Sequence, residues 1–385
     1  TTNQFKVRYP KCVDRNSADR ACLVSPKLCL LEIRSTTVPW DDVTEHQKGK
    51  IVTKESSSKL ETNPSEKVLH HYWHAVARSC EVTDKPLSVR LLDHSIVIWR
   101  SAKGVVAFHD LCIHRGTPLS LGWVDNGEMV CAYHGWHYGA DGVCTRIPSL
   151  PPGRGIPAKA RAIVYHTVEK YGLIWACLKT PIADIPEFPQ EIHDTSYRWD
   201  VYSSHGQWKA NAARMIENLL DFSHFAWVHP GILGDTTNAA CESTEITPVP
   251  GGFQYEIIQP VNRLKANSAS IQRFTVILPL TLFIERRQPD GPEKQTNIYI
   301  CTPMSDKETR FFRLSGRNYR DALSDEDLNK KHQTIFEQDR VIVESQRPEE
   351  LPLDLAEELH LRGPDTAGIE YRRALREMGV SWGNN

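Results

Sequence analysis

Two short segments bring thiols and imidazoles to spacings that a metal centre needs. Cys112-Ile-His114 is followed, after sixteen residues, by Cys131-Ala-Tyr-His134. Each pair fits on one tight turn, so two such turns supply the four ligands of a tetrahedral zinc or of a [2Fe–2S] cluster. Two details favour the cluster. Cys precedes His in both pairs, so loops meeting face to face put both thiolates on one iron and both imidazoles on the other. Each pair also runs into glycine, at Gly116 and Gly135, and glycine lets backbone N–H groups approach bridging sulfides. His109 and His137 lie close by but outside the spacing and read as structural. Cys144 reads as an ordinary buried thiol.

A second constellation lies further on, in Glu217-Asn-Leu-Leu-Asp221-Phe-Ser-His224-Phe-Ala-Trp-Val-His229-Pro230. At about 100° per residue, Glu217, Asp221 and His224 share one helical face. An ideal helix rotates His229 about 140° away from His224. Pro230 disfavours helical geometry at His229, so the chain can turn there and swing the imidazole back toward the same point. A third ligand comes from a helix expected over 324–346. With Ile335 set at 0°, Asp339 falls near about 40°, between Ile342 and Val343 on the apolar face. Glu337 and Glu344 project from the opposite face. An acid pointing inward beside Phe336 and Ile342 needs a compensating partner, and a ferrous ion bound by two His and one carboxylate supplies it. His332 shares this face two turns earlier and reads as structural.

The elements that position these residues follow from pattern. Short β-type runs at 89–92, 96–99, 105–108, 129–132, 162–165 and 172–178 are separated by turn residues, with Asn126-Gly127 the strongest tight-turn signal. The Pro-rich stretch from Pro181 to Pro189 marks a boundary. Beyond it, helical periodicity over 210–225, strands at 253–258, 271–278, 281–286 and 297–302, and the long helix opened by Ser324 and Asp327 make an α+β domain. The expected division is an N-terminal extension over 1–66, a small all-β domain over 67–180, and a larger domain over 181–385 with an antiparallel sheet flanked by helices. Cys12, Cys22 and Cys29 have no metal-like spacing.

Bulk properties exclude several classes. With 40% hydrophobic and 24% charged residues, the chain reads as an ordinary globular protein. A net charge of −2 argues against nucleic-acid or anionic-membrane partners. The apolar stretch Phe274 to Ile284 is too short to span a bilayer, and ten cysteines are too sparse for a disulfide scaffold, so the cytoplasm is expected.

Both motifs resemble one family. CIHRGTPLSLG and CAYHGWHYGADG are similar to the cluster loops of ring-hydroxylating Rieske oxygenases, and WKANAARMIENLLDFSHFAWVHP and FEQDRVIVESQRPE to their catalytic domain. The resemblance runs from about Trp73 to Tyr371. It implies Cys112 and Cys131 on the inner iron of one [2Fe–2S] cluster, and His114 and His134 on the outer. It implies a mononuclear Fe(II) on His224, His229 and Asp339, with Asn218 near that iron. Asp221 becomes a bridging carboxylate toward a cluster histidine, with His134 the candidate, of a neighbouring subunit. The implied assembly is a head-to-tail homotrimer. The implied activity is oxidative O- or N-demethylation or monohydroxylation of a small aromatic substrate with O₂; cis-dihydroxylation is the alternative within the family. Outside it stand a Rieske electron carrier and a zinc-stabilised binding protein. No G-x-G-x-x-G signature is present, so electrons are expected from a separate NAD(P)H-dependent reductase, with or without a ferredoxin. Phe225, Trp227, Phe274 and Ile284 offer apolar surface for an aromatic ring, and serve equally well as core.

Overall fold

Apolar runs punctuated by turn residues fold as strands throughout the region that the computed structural model describes, residues 67–382 apart from 203–205, 235, 239–243, 260–269, 290 and 321–322. The extension over 1–66, with Cys12, Cys22 and Cys29, lies outside the described residues. The front half contains β1 (His74–Arg78), β2 (Leu87–Leu91), β3 (His94–Ser101), β4 (Gly104–His109), β5 (Trp123–Asp125), β6 (Glu128–Val130), β7 (His137–Tyr138), β8 (Cys144–Arg146), β9 (Val164–Lys170) and β10 (Leu173–Cys177). They form a six-stranded sheet in the order β1-β10-β9-β4-β3-β2 and a four-stranded sheet β5-β6-β7-β8. Ile96-Val97-Ile98-Trp99 is buried throughout, because β3 is central and covered on both faces; a continuous apolar run, not alternation, signals such a strand. The edge strand β2 alternates instead.

Asn126 and Gly127 take positive φ values of 48° and 79° and close the β5–β6 hairpin. At the β2–β3 hairpin the left-handed residues are Leu92 and Asp93, an uncommon place for Leu. Their amides donate to Pro303 O and Met304 O, both at 2.8 Å. The turn thus ties the front half to the back half.

The back half contains β11 (Arg198–Tyr202), β12 (Gln207–Trp208), β13 (Thr247–Val249), β14 (Gly252–Gln259), β15 (Ser270–Ile277), β16 (Thr281–Arg287), β17 (Lys294–Ser305) and β18 (Glu308–Arg317), with helices α1 (Ala212–Leu220), α2 (Phe225–Val228), α3 (Asp325–Val343) and α4 (Thr366–Glu377). The antiparallel sheet runs β11-β18-β17-β16-β15-β14-β13, with β12 also on β18. The α+β expectation holds. One face of β15–β18, carrying Phe274, Leu282, Tyr299 and Phe311, shares a core with Met215 and Ile216 of α1 and Phe336 of α3. The other face, with Phe283, Ile298 and Phe312, packs with Trp175 of the front half and Phe188 of the Pro-rich boundary stretch. Twelve-residue β17 is consequently buried along nearly its whole length. Ser324 caps α3, accepting the Asp327 N–H at 3.1 Å, and the helix stops at Val343, three residues before the expected end. No helix of the described residues is long and apolar enough to cross a membrane.

Candidate metal centres

The two cysteine loops have the same backbone. The Cys112 N–H donates to Thr117 O and the Gly116 N–H returns to Cys112 O; the Cys131 N–H donates to Trp136 O and the Gly135 N–H returns to Cys131 O, all at 2.8–3.0 Å. Each loop closes only with a residue at positive φ, 71° at Gly116 and 64° at Gly135, where a side chain would be strained. Both thiols are buried. Cys112 Sγ lies 3.1 Å from the Tyr138 hydroxyl, and burial, with Cys112 as neighbour, pushes the Cys131 thiol up. The His114 and His134 rings meet edge-on at 4.6 Å, and Trp136 stacks on His114 at 4.5 Å. His114 Nδ1 is sealed from solvent with no hydrogen-bond partner among the described residues. Two buried thiols and an orphaned imidazole nitrogen are a donor set that fits a metal cluster, since a buried polar atom without a partner is otherwise costly. His137 stays outside this set, 3.3 Å from Glu128, as expected for a structural imidazole.

The second site departs from the expected helix. Asn211 caps α1 by accepting the Ala213 N–H at 2.9 Å, but α1 ends at Leu220 and does not reach Phe225. Asp221 is extended (ψ 121°) because its Oδ1 accepts both the Ser223 N–H at 2.7 Å and the Ser223 hydroxyl at 2.5 Å, a local turn that competes with helix. Tyr255 supports the break by donating its hydroxyl to Leu220 O at 2.6 Å. Glu217, Asp221 and His224 therefore do not share a helical face. Glu217 turns away and binds Arg372. The chain resumes as α2, with His224 at its start and His229 at its end in a non-helical conformation (ψ 52°), as Pro230 requires.

The result is convergence. Asp339 is 4% exposed, and its Oδ1 lies 2.9 Å from His229 Nε2 and 3.3 Å from His224 Nε2. One ligand atom from each residue falls within 4.8 Å of the others. Both Nδ1 atoms are held from behind, that of His224 by Asp221 Oδ2 at 3.3 Å and that of His229 by Gln338 Oε1 at 2.8 Å. Burial opposes the charged form of His224, yet Asp221 and Asp339 outweigh it and push its pKa up to about 9. Burial likewise opposes ionisation of Asp339, but His224 and His229 hold it below the usual carboxylate range. The site thus demands positive charge at its centre, and a divalent iron fits that demand and the 2-His-1-carboxylate donor set.

Each site lies within a stretch that matches a known domain. Residues 72–171 match the Rieske [2Fe-2S] domain, and residues 208–381 match the vanillate O-demethylase oxygenase C-terminal domain. Methylxanthine N1-demethylase of Pseudomonas putida is 31% identical over 329 residues, 82% of this chain and 91% of that protein. The chain belongs to the Rieske non-haem iron oxygenases. The dicamba O-demethylase oxygenase component of Stenotrophomonas maltophilia is 28% identical, covering 71% of this chain and 86% of its own. The solved structure of the Pseudomonas putida N1-demethylase with caffeine superposes at a TM-score of 0.74 and 30% identity, covering 82% and 92% of the two chains. The oxygenase accordingly carries a Rieske cluster and a mononuclear iron, and it works as the oxygenase component of an NAD(P)H-driven system.

Not every expectation about the oxygenase's residues holds. Ile342, placed on the apolar face of α3, is 45% exposed, and Trp227 is 67% exposed and lines no core. Phe274 and Ile284 are core. The Asn218 side chain makes no hydrogen bond among the described residues, and its carbonyl accepts the Asp221 N–H. Sequence reasoning missed Gln338, Tyr255 and Arg372. Gln338 had one available signal, its place beside the inward-facing Asp339.

Proposed function

We propose that His224, His229 and Asp339 hold the catalytic iron, that Cys112, Cys131, His114 and His134 hold the cluster, and that the oxygenase demethylates or hydroxylates a small aromatic substrate between α1, α3 and the large sheet. The observation that carries the reading is the meeting of two histidine Nε2 atoms on one oxygen of a buried aspartate. When bound, the iron offers open positions for O₂ beside the substrate, and the cluster stores the reducing equivalents. The protein's part is positional. Asp221 and Gln338 fix the two imidazoles so that their Nε2 lone pairs face inward. The turn at Asp221 brings His224 and His229 to the same side of α3, and Phe336 and Val343 close that helix against the core.

Asp221 keeps 35% of its side chain exposed while holding His224, so it can also meet a group from outside the chain. The surface around the cluster loops is apolar and exposed at Ile113 and Tyr133, and Trp227, six residues after Asp221 in the chain, is exposed. These two patches support a head-to-tail contact between copies, which closes as a trimeric ring with Asp221 bridging one subunit's iron site to the next subunit's His134. We place the domain boundary near residue 180, at the end of β10, and the protein in the cytoplasm beside its reductase and any ferredoxin.

The test is aerobic turnover with NADH and a generic reductase across phenyl ethers, N-methyl compounds and simple aromatic acids. Formaldehyde release marks demethylation, and the count of ¹⁸O atoms from ¹⁸O₂ separates it from dihydroxylation. A sample holding zinc, no acid-labile sulfide and no turnover would remove the reading. Asp221→Asn is expected to retain both metals yet slow reduction of the iron site at least ~10-fold in single turnover; an unchanged rate removes the relay.

A further inference from the structure

The side of β15–β18 that faces the helices changes character along its length. Beside α1 it is apolar, with Val276, Leu282 and Phe311. At the far end the cross-strand partners are polar: Gln272 lies opposite Arg286, Arg286 opposite Gln295, and Gln295 opposite Arg317. Four residues further in, Arg313 lies opposite Tyr299. Among the described residues this end of the face carries three arginines and no Asp or Glu. The nearby Glu285 points the other way and is bound to Lys294 and Arg273, and Asp339 is committed to His224 and His229.

Arg286 is the cation that this arrangement leaves uncompensated among the described residues. Its Nη2 has one long contact, 3.4 Å to Gln272 Oε1. Its Nε is sealed from solvent with no acceptor. Burial holds its pKa below the usual value, with nearby Arg313 acting in the same direction against the tyrosine hydroxyls of Tyr319 and Tyr299. Arg313 connects this corner to the iron helix: its Nη2 is 3.3 Å from His332 Nε2 and its guanidinium sits 6.0 Å over the Phe336 ring. From His332 to Asp339 the rise along α3 is about 10 Å, a length that a benzene ring with substituents at opposite ends fills.

A half-buried guanidinium whose Nε lacks an acceptor gains from an anion that completes it, and its fork matches carboxylate and sulfonate oxygens. We propose that Arg286 anchors the negative end of the substrate, so that the oxygenase acts on aromatic acids and discriminates against neutral aromatics. The proposal deepens the aromatic-oxygenase reading above and rests on it. The anion sits at the polar end of the sheet, and the opposite substituent points toward the iron site.

Calorimetric titration of the metal-loaded oxygenase with 4-methoxybenzoate, 4-methoxybenzenesulfonate and the neutral 4-methoxybenzamide tests this. The anions are expected to bind ~10- to 100-fold more tightly than the amide, the range of a charged hydrogen-bonded pair. Arg286→Met is expected to remove that preference while changing amide affinity less than ~3-fold, and Arg286→Lys to restore part of it. The stronger of the two anions identifies the acid class. Should Arg286→Met fail to fold, the wild-type comparison decides alone. Equal affinity for all three probes, binding by none, or an Arg286→Met protein that keeps the preference overturns the proposal. Formaldehyde measured in the same samples keeps the two readings apart. Turnover of the amide alone removes the anchor and leaves the oxygenase, whereas anion-selective binding without turnover does the reverse.

Discussion

Each iron-site histidine uses one ring nitrogen to hold its place and leaves the other for a ligand. For His229 the holding group is Gln338, at 2.8 Å from Nδ1, and the imidazole itself is fully buried. Gln338→Leu removes the acceptor without removing a ligand, so iron affinity is expected to fall ~10-fold or more, as for other groups that orient metal-bound imidazoles. Equilibrium dialysis against Co(II) measures this, and Gln338→Glu should restore affinity because its carboxylate accepts the same N–H. An unchanged dissociation constant for Gln338→Leu would sink the positioning role. Asp339 was legible in the sequence because an acid set among Phe336 and Val343 at helical spacing must be compensated by a cation or a donor. Gln338 was not, since a glutamine on a helix surface satisfies itself with water as easily as with a histidine.

At the scale of elements, the iron site depends on where α1 stops and what fixes it. The pattern over 210–225 reads as one helix, and the break at Asp221 comes from side-chain hydrogen bonds that periodicity does not contain. Behind the break, buried Arg372 of α4 grips Glu217 of α1 at 2.5 and 2.8 Å and Glu358 at 2.5 Å, while Arg214 of α1 reaches Glu358 at 2.9 Å and Pro348 O at 2.7 Å. Removing one partner of such a network strands the others. Arg372→Ala is therefore expected to lower stability by about 3 kcal/mol, read from urea denaturation of the metal-loaded protein. A loss under about 1 kcal/mol would mean that water replaces the arginine.

For the molecule as a whole, two predictions follow from surface and interior. Trp227→Glu puts a charge at the exposed indole that follows Asp221 in the chain. It should shift the proposed trimer toward monomer in light scattering and cut steady-state turnover with both metals retained; an intact trimer would remove the proposed contact. In the interior, His74 is buried and its Nε2–H donates to Leu69 O at 2.9 Å. Burial, the largest cause, lowers its pKa to about 4. A base whose folded pKa lies below its unfolded value is more readily protonated in the unfolded chain, so stability declines as pH falls from about 6.5 to about 4, by on the order of 3 kcal/mol from this group. His74→Gln should flatten that part of the stability–pH curve; an identical slope would refute the assignment.

The sequence by itself determined the ligand types, their local spacing and most of the strands, because these rest on short-range rules: tight turns between Cys and His, glycine at left-handed positions, alternation along strands, and a capping box before α3. It did not determine which face Glu217 or Ile342 presents, where α1 breaks, or that Arg286 stands without a counter-charge. Those depend on partners tens to hundreds of residues away, such as Tyr255 on Leu220 and Arg372 on Glu217. Only the packed chain decides which buried polar groups find one another, and the site's electrostatics follow from that pairing.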